Sequence, residues 1–483
     1  TVRDVSLTVG QGELVAIIGS SGSGKATLLR AMSGLRVPAS GTVLRHVAGD
    51  GRSAGGPPSG HVGYIPSGDT MHPVLPLARA LRYTAELRGV HCSSATAERA
   101  LGLVGLAAAA SVPVGMLDPG ERKRAAVAAE LLAGPAQLFL DEPTAGLDPA
   151  QATEVLRLLR RLARGGMTVL LTTSSPVDAA RCDKVAVLAA GGHLAFYGTP
   201  AGARGYFGAD SLEEICERLA GLGDPAAAWS RRFFHFSRTR VGFTPVPTTP
   251  RAPGPAVLVP DAAGPHSAGR PGLVFTGGPD ADDVTDDDEE DKTSFVTSPA
   301  ALRSPGGPTP GGAGRPLRPV SQLPVLIRRD VEVMARVRRT QATLVSVPVV
   351  ILLAFCVLLG VGALDGPAVV TLAWAVLGGL AAGLAYELTA RGSEAGALRG
   401  EVFSGLSTGA FALAKAAVRL PVLAVADVLV LAVPAIAGRL PGGFGPAYLA
   451  VAISSAVGLA AALTAAVITA RRSLPGPAVT SRR

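Results

Sequence analysis

Leu14-Val-Ala-Ile-Ile18 runs into Gly19-Ser20-Ser21-Gly22-Ser23-Gly24-Lys25-Ala26-Thr27, and Leu28-Leu29-Arg30-Ala31-Met32 follows before a stop at Gly34. An apolar run, a glycine loop and a helical pattern in that order make a phosphate cradle. The glycines let consecutive backbone N–H groups converge on phosphate oxygens, Lys25 reaches the terminal phosphates, and the helix N-terminus adds its dipole. One position departs from the pattern. The residue after the lysine should carry a hydroxyl to ligate Mg²⁺, and here it is Ala26.

The chain has 483 residues, enough for two or three domains. Hydrophobic residues make up 48% against 17% charged, so part of the chain is expected in a membrane. The net charge of +8 comes almost wholly from arginine. No aromatic-interleaved basic patch appears, which argues against nucleic acid. Arginines massed beside apolar runs fit a cytoplasmic membrane face. Cys92, Cys182, Cys216 and Cys356 show no C-x-x-C spacing and read as free thiols.

Residues 1–222 alternate short apolar runs with helical stretches, which indicates an α/β layer architecture. Strands are expected at Leu14–Ile18, Gln137–Leu140, Met167–Leu171 and Lys184–Leu188, with a hairpin return at His193–Tyr197. Helical stretches between Asp69 and Ala133 include Leu77–Leu87 and Glu121–Leu132. Thr1–Val9 alternates like a strand already in progress, as though the chain began inside a domain. Residues 223–320 are dense in proline and glycine and carry the acidic run Asp286-Asp-Asp-Glu-Glu-Asp291, the composition of a disordered linker. Thr285, Ser298, Ser304 and Thr309 are phosphorylation candidates there, against the plainer reading of an unmodified tether.

Residues 321–483 read as an all-α membrane domain with about four spans, at 342–364, 366–386, 420–438 and 445–470. Arg328, Arg329, Arg336, Arg338 and Arg339 precede the first span, and Arg391, Arg399, Lys415 and Arg419 fill the second connection. Only Asp365 and Arg439 mark the other two connections. This asymmetry places both termini in the cytoplasm of a multi-pass protein of the cell membrane, with the lipid bilayer as a partner. Asp427, inside the third span, is either a functional carboxyl or a residue of a poorly constrained helix.

A second element supports the loop. Leu138-Phe-Leu-Asp141-Glu142-Pro143 is an apolar strand ending in two acids, the first suited to hold Mg²⁺ through water and the second to activate water as general base. Here the sequence resembles the ATP-binding cassette (ABC) transporters. Asp141-Glu-Pro-Thr-Ala-Gly-Leu-Asp148 is similar to their Walker B motif and D-loop, and Met116-Leu-Asp-Pro-Gly-Glu-Arg-Lys-Arg124 to their signature. Gly63-Tyr-Ile-Pro-Ser-Gly-Asp69 resembles the Q-loop, and Thr172-Thr-Ser-Ser-Pro176 the switch-histidine region. The order of domains and Gly405–Lys415, similar to the segment joining the second and third spans, point to the G subfamily and its bacterial relatives. The resemblance reaches nearly the whole chain outside the linker. It implies a P-loop NTPase domain of the ABC ATPase type that takes ATP and Mg²⁺ as cofactors. Gly120 and Asp148 then join the nucleotide-contacting set, Arg391–Lys415 transmits motion to the spans, and a homo- or heterodimer forms through the nucleotide-binding domains. Some bacterial relatives carry phosphothreonine-binding domains, which suggests such a protein as a further partner.

The departures cluster around the phosphates. Ala26 lacks the metal-ligating hydroxyl, Ser67 stands where the resemblance calls for glutamine, and Ser174 where it calls for histidine. Asp118 and Pro119 replace a serine and a glycine that would face the partner's γ-phosphate. An aspartate repels phosphate there, and proline has no N–H to give. The expected function is an ATP-binding subunit of a membrane exporter with impaired hydrolysis. The alternatives are a membrane-anchored nucleotide-binding regulator or scaffold, and a truncated, decaying copy.

Overall fold

Val15 and Ile17 point to one side of a strand, Leu14, Ala16 and Ile18 to the other, and all five are buried. A strand apolar on both faces needs cover on both, which a parallel sheet with crossover helices provides. In the computed structural model, which describes residues 2–43, 62–220, 225–240, 319–360, 370–385, 406–438, 440 and 443–472, this strand lies inside a six-stranded sheet. The strands are β1 (Leu14–Gly19), β2 (Val62–Ile65), β3 (Gln137–Asp141), β4 (Thr168–Thr172), β5 (Lys184–Ala189) and β6 (His193–Gly198). Their order is β2-β3-β4-β1-β5-β6, parallel except for β6, which returns antiparallel against β5.

The first helices are α1 (Lys25–Ser33), α2 (Leu77–Leu87), α3 (Ser94–Leu103), α4 (Pro119–Leu131) and α5 (Pro149–Arg164). Next come α6 (Pro176–Ala180), α7 (Pro200–Phe207) and α8 (Leu212–Ala220). Leu28 and Leu29 of α1 cover one face of the sheet, while α2 to α5 build the larger core on the other.

Two expectations need correction here. Within the expected strand Thr1–Val9, the described residues Val2–Val9 do not continue the sheet as a strand. They make a single bridge, Arg3 to His193, and lay Val2, Val5, Leu7 and Val9 part-buried against the smaller core. The stretch 223–320 is also not uniformly a linker, because α9 (Pro225–Arg240) is helical. Trp229, Phe233 and Phe236 recur at helical spacing and pack on Tyr206, with Trp229 also on Phe207 and Phe233 on Phe196. Proline and glycine averaged over the stretch hide these aromatics. The acidic run and Thr285, Ser298, Ser304 and Thr309 lie outside the described residues.

The C-terminal part is helical: α10 (Pro319–Arg336), α11 (Arg338–Gly360), α12 (370–385), α13 (Thr408–Ile436) and α14 (Phe444–Arg472). Thr408–Ile436 and Phe444–Ile468 are each long and apolar enough to cross a membrane. The expected spans differ in extent. α13 begins twelve residues before 420, so Thr408–Lys415 forms its first turns, and Ser407 caps it by accepting from Ala410 N. The described part of α12 covers 370–385 of the expected 366–386, and residues 361–369 and 386–405 lie outside the described set.

α12 and α14 cross with their backbones in contact. A Cβ on Gly383 would lie 2.2 Å from Ser455 O, and one on Gly458 would lie 2.4 Å from Leu380 O. Gly379 and Gly383 form a small-xxx-small face, and Ser454 Oγ donates to Val376 O at 2.5 Å. Asp427 of α13 is 1% exposed and accepts from Ser455 Oγ at 2.7 Å beside this crossing. That contact removes the poorly constrained reading of Asp427. Gly383→Leu is expected to destabilise the full chain by about 1–3 kcal/mol through overpacking. It should lower the thermal midpoint in detergent, whereas Leu377→Ala, at an exposed position, should leave it unchanged.

Candidate nucleotide site

Where β1 ends, Gly19 has φ +149° and a Cβ there would come 2.3 Å from Leu188 O. The chain can leave the sheet at this point only as glycine. Gly22 (φ +80°) and Gly24 (φ +97°) then turn the loop, with Ser23 N donating to Ser20 O, and Gly24 opens α1 in the left-handed conformation. Lys25 Nζ donates to Gly19 O at 2.9 Å and Ser20 O at 3.4 Å, so its ammonium lies over the loop. Ser23 Oγ is buried with no hydrogen-bond partner among the described residues. Ser20, Ser21 and Gly22 form the rim, and Ala26 and Thr27 begin the helix. Loop, helix start and ammonium thus stand together at the end of β1.

The acid pair stands at the end of β3, in register with β4. Asp141 is paired with Thr172, which is paired in turn with Ile17 of β1. Thr172, fully buried, joins the two acids. Its Oγ1 donates to Asp141 Oδ1 at 2.7 Å and accepts from Glu142 N at 2.9 Å. Glu142 adopts φ +49°, a conformation that costs a non-glycine residue of order 1–3 kcal/mol. Its Oε2 accepts from Ser174 N at 2.9 Å and Ser174 Oγ at 3.1 Å. The serine at the expected histidine position therefore holds the general-base candidate directly. On the other side of Asp141, Arg30 Nη2 approaches Oδ2 at 3.4 Å and Arg30 Nε donates to Tyr64 OH at 3.3 Å. Burial, with the Asp141 charge second, pushes the Tyr64 phenol above its ordinary pKa.

The signature and Q-loop segments meet at α4. Asp118 caps this helix through a reciprocal box: Glu121 N donates to Asp118 Oδ1 at 2.6 Å, and Asp118 N donates to Glu121 Oε2 at 2.9 Å. Pro119 takes the first helical position, where its missing N–H costs nothing. Lys123 donates to Ser67 O, and Arg122 pairs with Asp69 at 3.3 Å. Burial lowers the Lys123 pKa below its ordinary value. Gly120 is a packing glycine, a Cβ there lying 3.1 Å from Gln151, and Asp148 caps α5 by accepting from Gln151 N at 2.8 Å. These two residues form the α4–α5 junction, a grouping separate from the loop and the acid pair. Arg30, Thr172 and Tyr64 lie inside the quoted motif segments but are not singled out as site residues by the motifs themselves. The available signals were the i, i+4 spacing of Ala26 and Arg30 and the strand-end position of Thr172.

Loop, acid pair and sheet order define a P-loop nucleotide-binding domain, joined in one chain to apolar helices. The chain belongs to the ABC transporter family. The family model described as ABC transporter matches residues 2–145, and an AAA-domain model described as a putative AbiEii toxin of a type IV toxin–antitoxin system overlaps it at 120–177. The lipoprotein-releasing system ATP-binding protein LolD of Bordetella avium is 40% identical over 188 residues, 38% of this chain and 82% of that protein. An ABC transporter ATP-binding/permease protein of Mycobacterium tuberculosis is 37% identical over 262 residues, 53% of this chain and 29% of the relative. ATP-binding cassette sub-family G member 5 of Homo sapiens is 39% identical over 212 residues, 41% of this chain and 32% of the relative. The chain thus spans about a third of the length of these last two.

Thr172 offers a direct check on the site. Thr172→Val removes the hydroxyl that serves both acids and is expected to cost about 1–3 kcal/mol, whereas Thr172→Ser should retain most of it. Thermal unfolding of the two purified variants against the parent measures the difference.

Proposed function

We propose that the chain is the ATP-binding subunit of an ABC-type exporter whose hydrolysis is slow. The observation that carries this reading is the bridge between the nucleotide domain and the apolar helices. Tyr83 OH donates to Glu332 Oε2 at 2.7 Å, and Arg328 pairs with Glu86 at 3.0 Å, joining α2 to α10. Between Arg328 and Glu332 on α10, Asp330 pairs with the buried Lys415 of α13 at 3.5 Å. Leu87, Leu326, Leu406, Ala410, Phe411 and Ala414 form a shared apolar cluster beneath these pairs. A shift of α2 on nucleotide binding therefore has a packed route to α13.

In this reading Lys25 and the backbone N–H groups of residues 19–27 hold the phosphates, and Glu142 takes the proton of the attacking water. Gly120 and Asp148 serve the opposite face of a dimer formed through the nucleotide domains, with itself or with a second chain. The spans lie in the cell membrane with both termini cytoplasmic. Turnover is slow because several positioning groups are replaced, and the loss of one such donor commonly costs about 10²–10³ in rate.

A second reading, a nucleotide-binding regulator or scaffold, draws on one feature. Ser174 makes two hydrogen bonds to one oxygen of Glu142, which commits the base candidate to its own chain.

ATP hydrolysis by the full chain purified in detergent separates the two. The transporter reading expects a low rate that falls about tenfold or more in Glu142→Gln, the scale of a lost general base. Equal rates would favour the regulator. Lys25→Ala should abolish nucleotide binding under either reading, measured by calorimetry.

A further inference from the structure

The magnesium expected at Asp141 does not fit the residues around it. Mg²⁺ demands near-octahedral oxygen ligands at about 2.0–2.1 Å. Ala26 presents a methyl group where a hydroxyl ligand is needed. Asp141 has both oxygens engaged, Oδ1 by the Thr172 hydroxyl at 2.7 Å and Oδ2 by the Arg30 guanidinium at 3.4 Å. The Ser67 carbonyl is held by the Lys123 ammonium.

The position of Arg30 follows from helix geometry. Residues 26 and 30 lie one turn apart on the same face of α1, and a long helical side chain leans toward the N-terminus over the preceding turn. The guanidinium therefore stands on the face that Ala26 leaves open. It is fixed there by Asp141 on one side and Tyr64 OH on the other. A divalent ion bound at the buried Asp141 would face the charge of Arg30, whose side chain is 27% exposed, at close range, where like charges repel.

We propose that this loop binds its nucleotide as the metal-free polyphosphate anion, with Arg30 supplying at Asp141 the charge compensation that a divalent ion would otherwise give. The inference rests on the nucleotide-binding reading above. Lys25, the loop N–H groups and the α1 dipole attract the phosphates. Arg30 cancels the Asp141 carboxylate, which would otherwise repel an unmetallated phosphate chain. Metal-free binding also accounts for slow hydrolysis without requiring loss of affinity.

The test is ATP affinity of the full chain in detergent, measured by calorimetry in EDTA and in excess Mg²⁺. The two dissociation constants are expected within about threefold of each other. Arg30→Gln should weaken binding in EDTA by about tenfold, and Arg30→Lys, which keeps the charge and controls for folding, should retain it. The double variant Ala26→Ser/Arg30→Gln should move the preference toward the magnesium complex. Wild-type binding that drops about tenfold or more in EDTA overturns the inference while leaving the nucleotide reading intact. An Arg30→Gln affinity equal to wild type in EDTA also overturns it. Absence of binding in both buffers overturns the nucleotide reading, and this inference with it.

Discussion

The sheet can hold a phosphate loop because β1 meets the carbonyl of Leu188 so closely at Gly19 that no side chain fits. Its φ of +149° and the 2.3 Å approach of Leu188 O to any added Cβ force the chain out of the sheet at that residue. β1 lies between β4 and β5, so the exit point is central to the sheet edge. The acids are then placed by register alone. Ile17, Thr172 and Asp141 share one row across β1, β4 and β3, two residues before the exit at Gly19. A one-residue slip of β3 would turn Asp141 to the opposite face and dissolve the site.

Around this frame, the residues that replace the family pattern are absorbed into local structure. Asp118 and Pro119 together make a strong helix start, with a capping box and proline at the first position. Ser174 is too short to project into a neighbouring site and instead bonds Glu142 twice. Those bonds, with the one from Glu142 N to Thr172, hold a backbone conformation that a non-glycine residue does not keep unaided. These three replacements are satisfied within their own chain. Asp118, Pro119 and Ser174 are therefore accommodated without leaving the fold with uncompensated polar groups at those positions.

Much of this was legible in the sequence, for reasons specific to each element. Apolar runs bounded by glycine and acids gave the four central strands to within a residue, because burial on both faces leaves little compositional freedom. β2 was harder to see, since Val62-Gly-Tyr-Ile65 is short, lies at the edge and contains glycine. α9 was hidden because three aromatics carry its packing inside a proline-rich average. The loop and the acid pair could be found by spacing, whereas Thr172 and Arg30 act through tertiary contacts 31 and 111 residues away in sequence. No local pattern reports such contacts.

The apolar helices obey a different constraint from the nucleotide domain. In a lipid setting apolar side chains gain little by leaving hydrocarbon for one another, so close approach of small residues and shared hydrogen bonds must hold helices together. The α12–α14 crossing meets that requirement through Gly379, Gly383 and Gly458, and Ser455 extends it to α13 by donating to Asp427. A second polar contact, Lys415 to Asp330, ties α13 to α10, and α10 in turn carries the pairs that reach α2. Both α13 contacts are buried, and they sit three turns apart on one helix. Displacing α13 as a rigid rod would strain both together, since both pairs are buried. The helix that α10 ties to the nucleotide domain is therefore also the one anchored to the glycine crossing, so α2 and the packed helices are linked through α10 and α13.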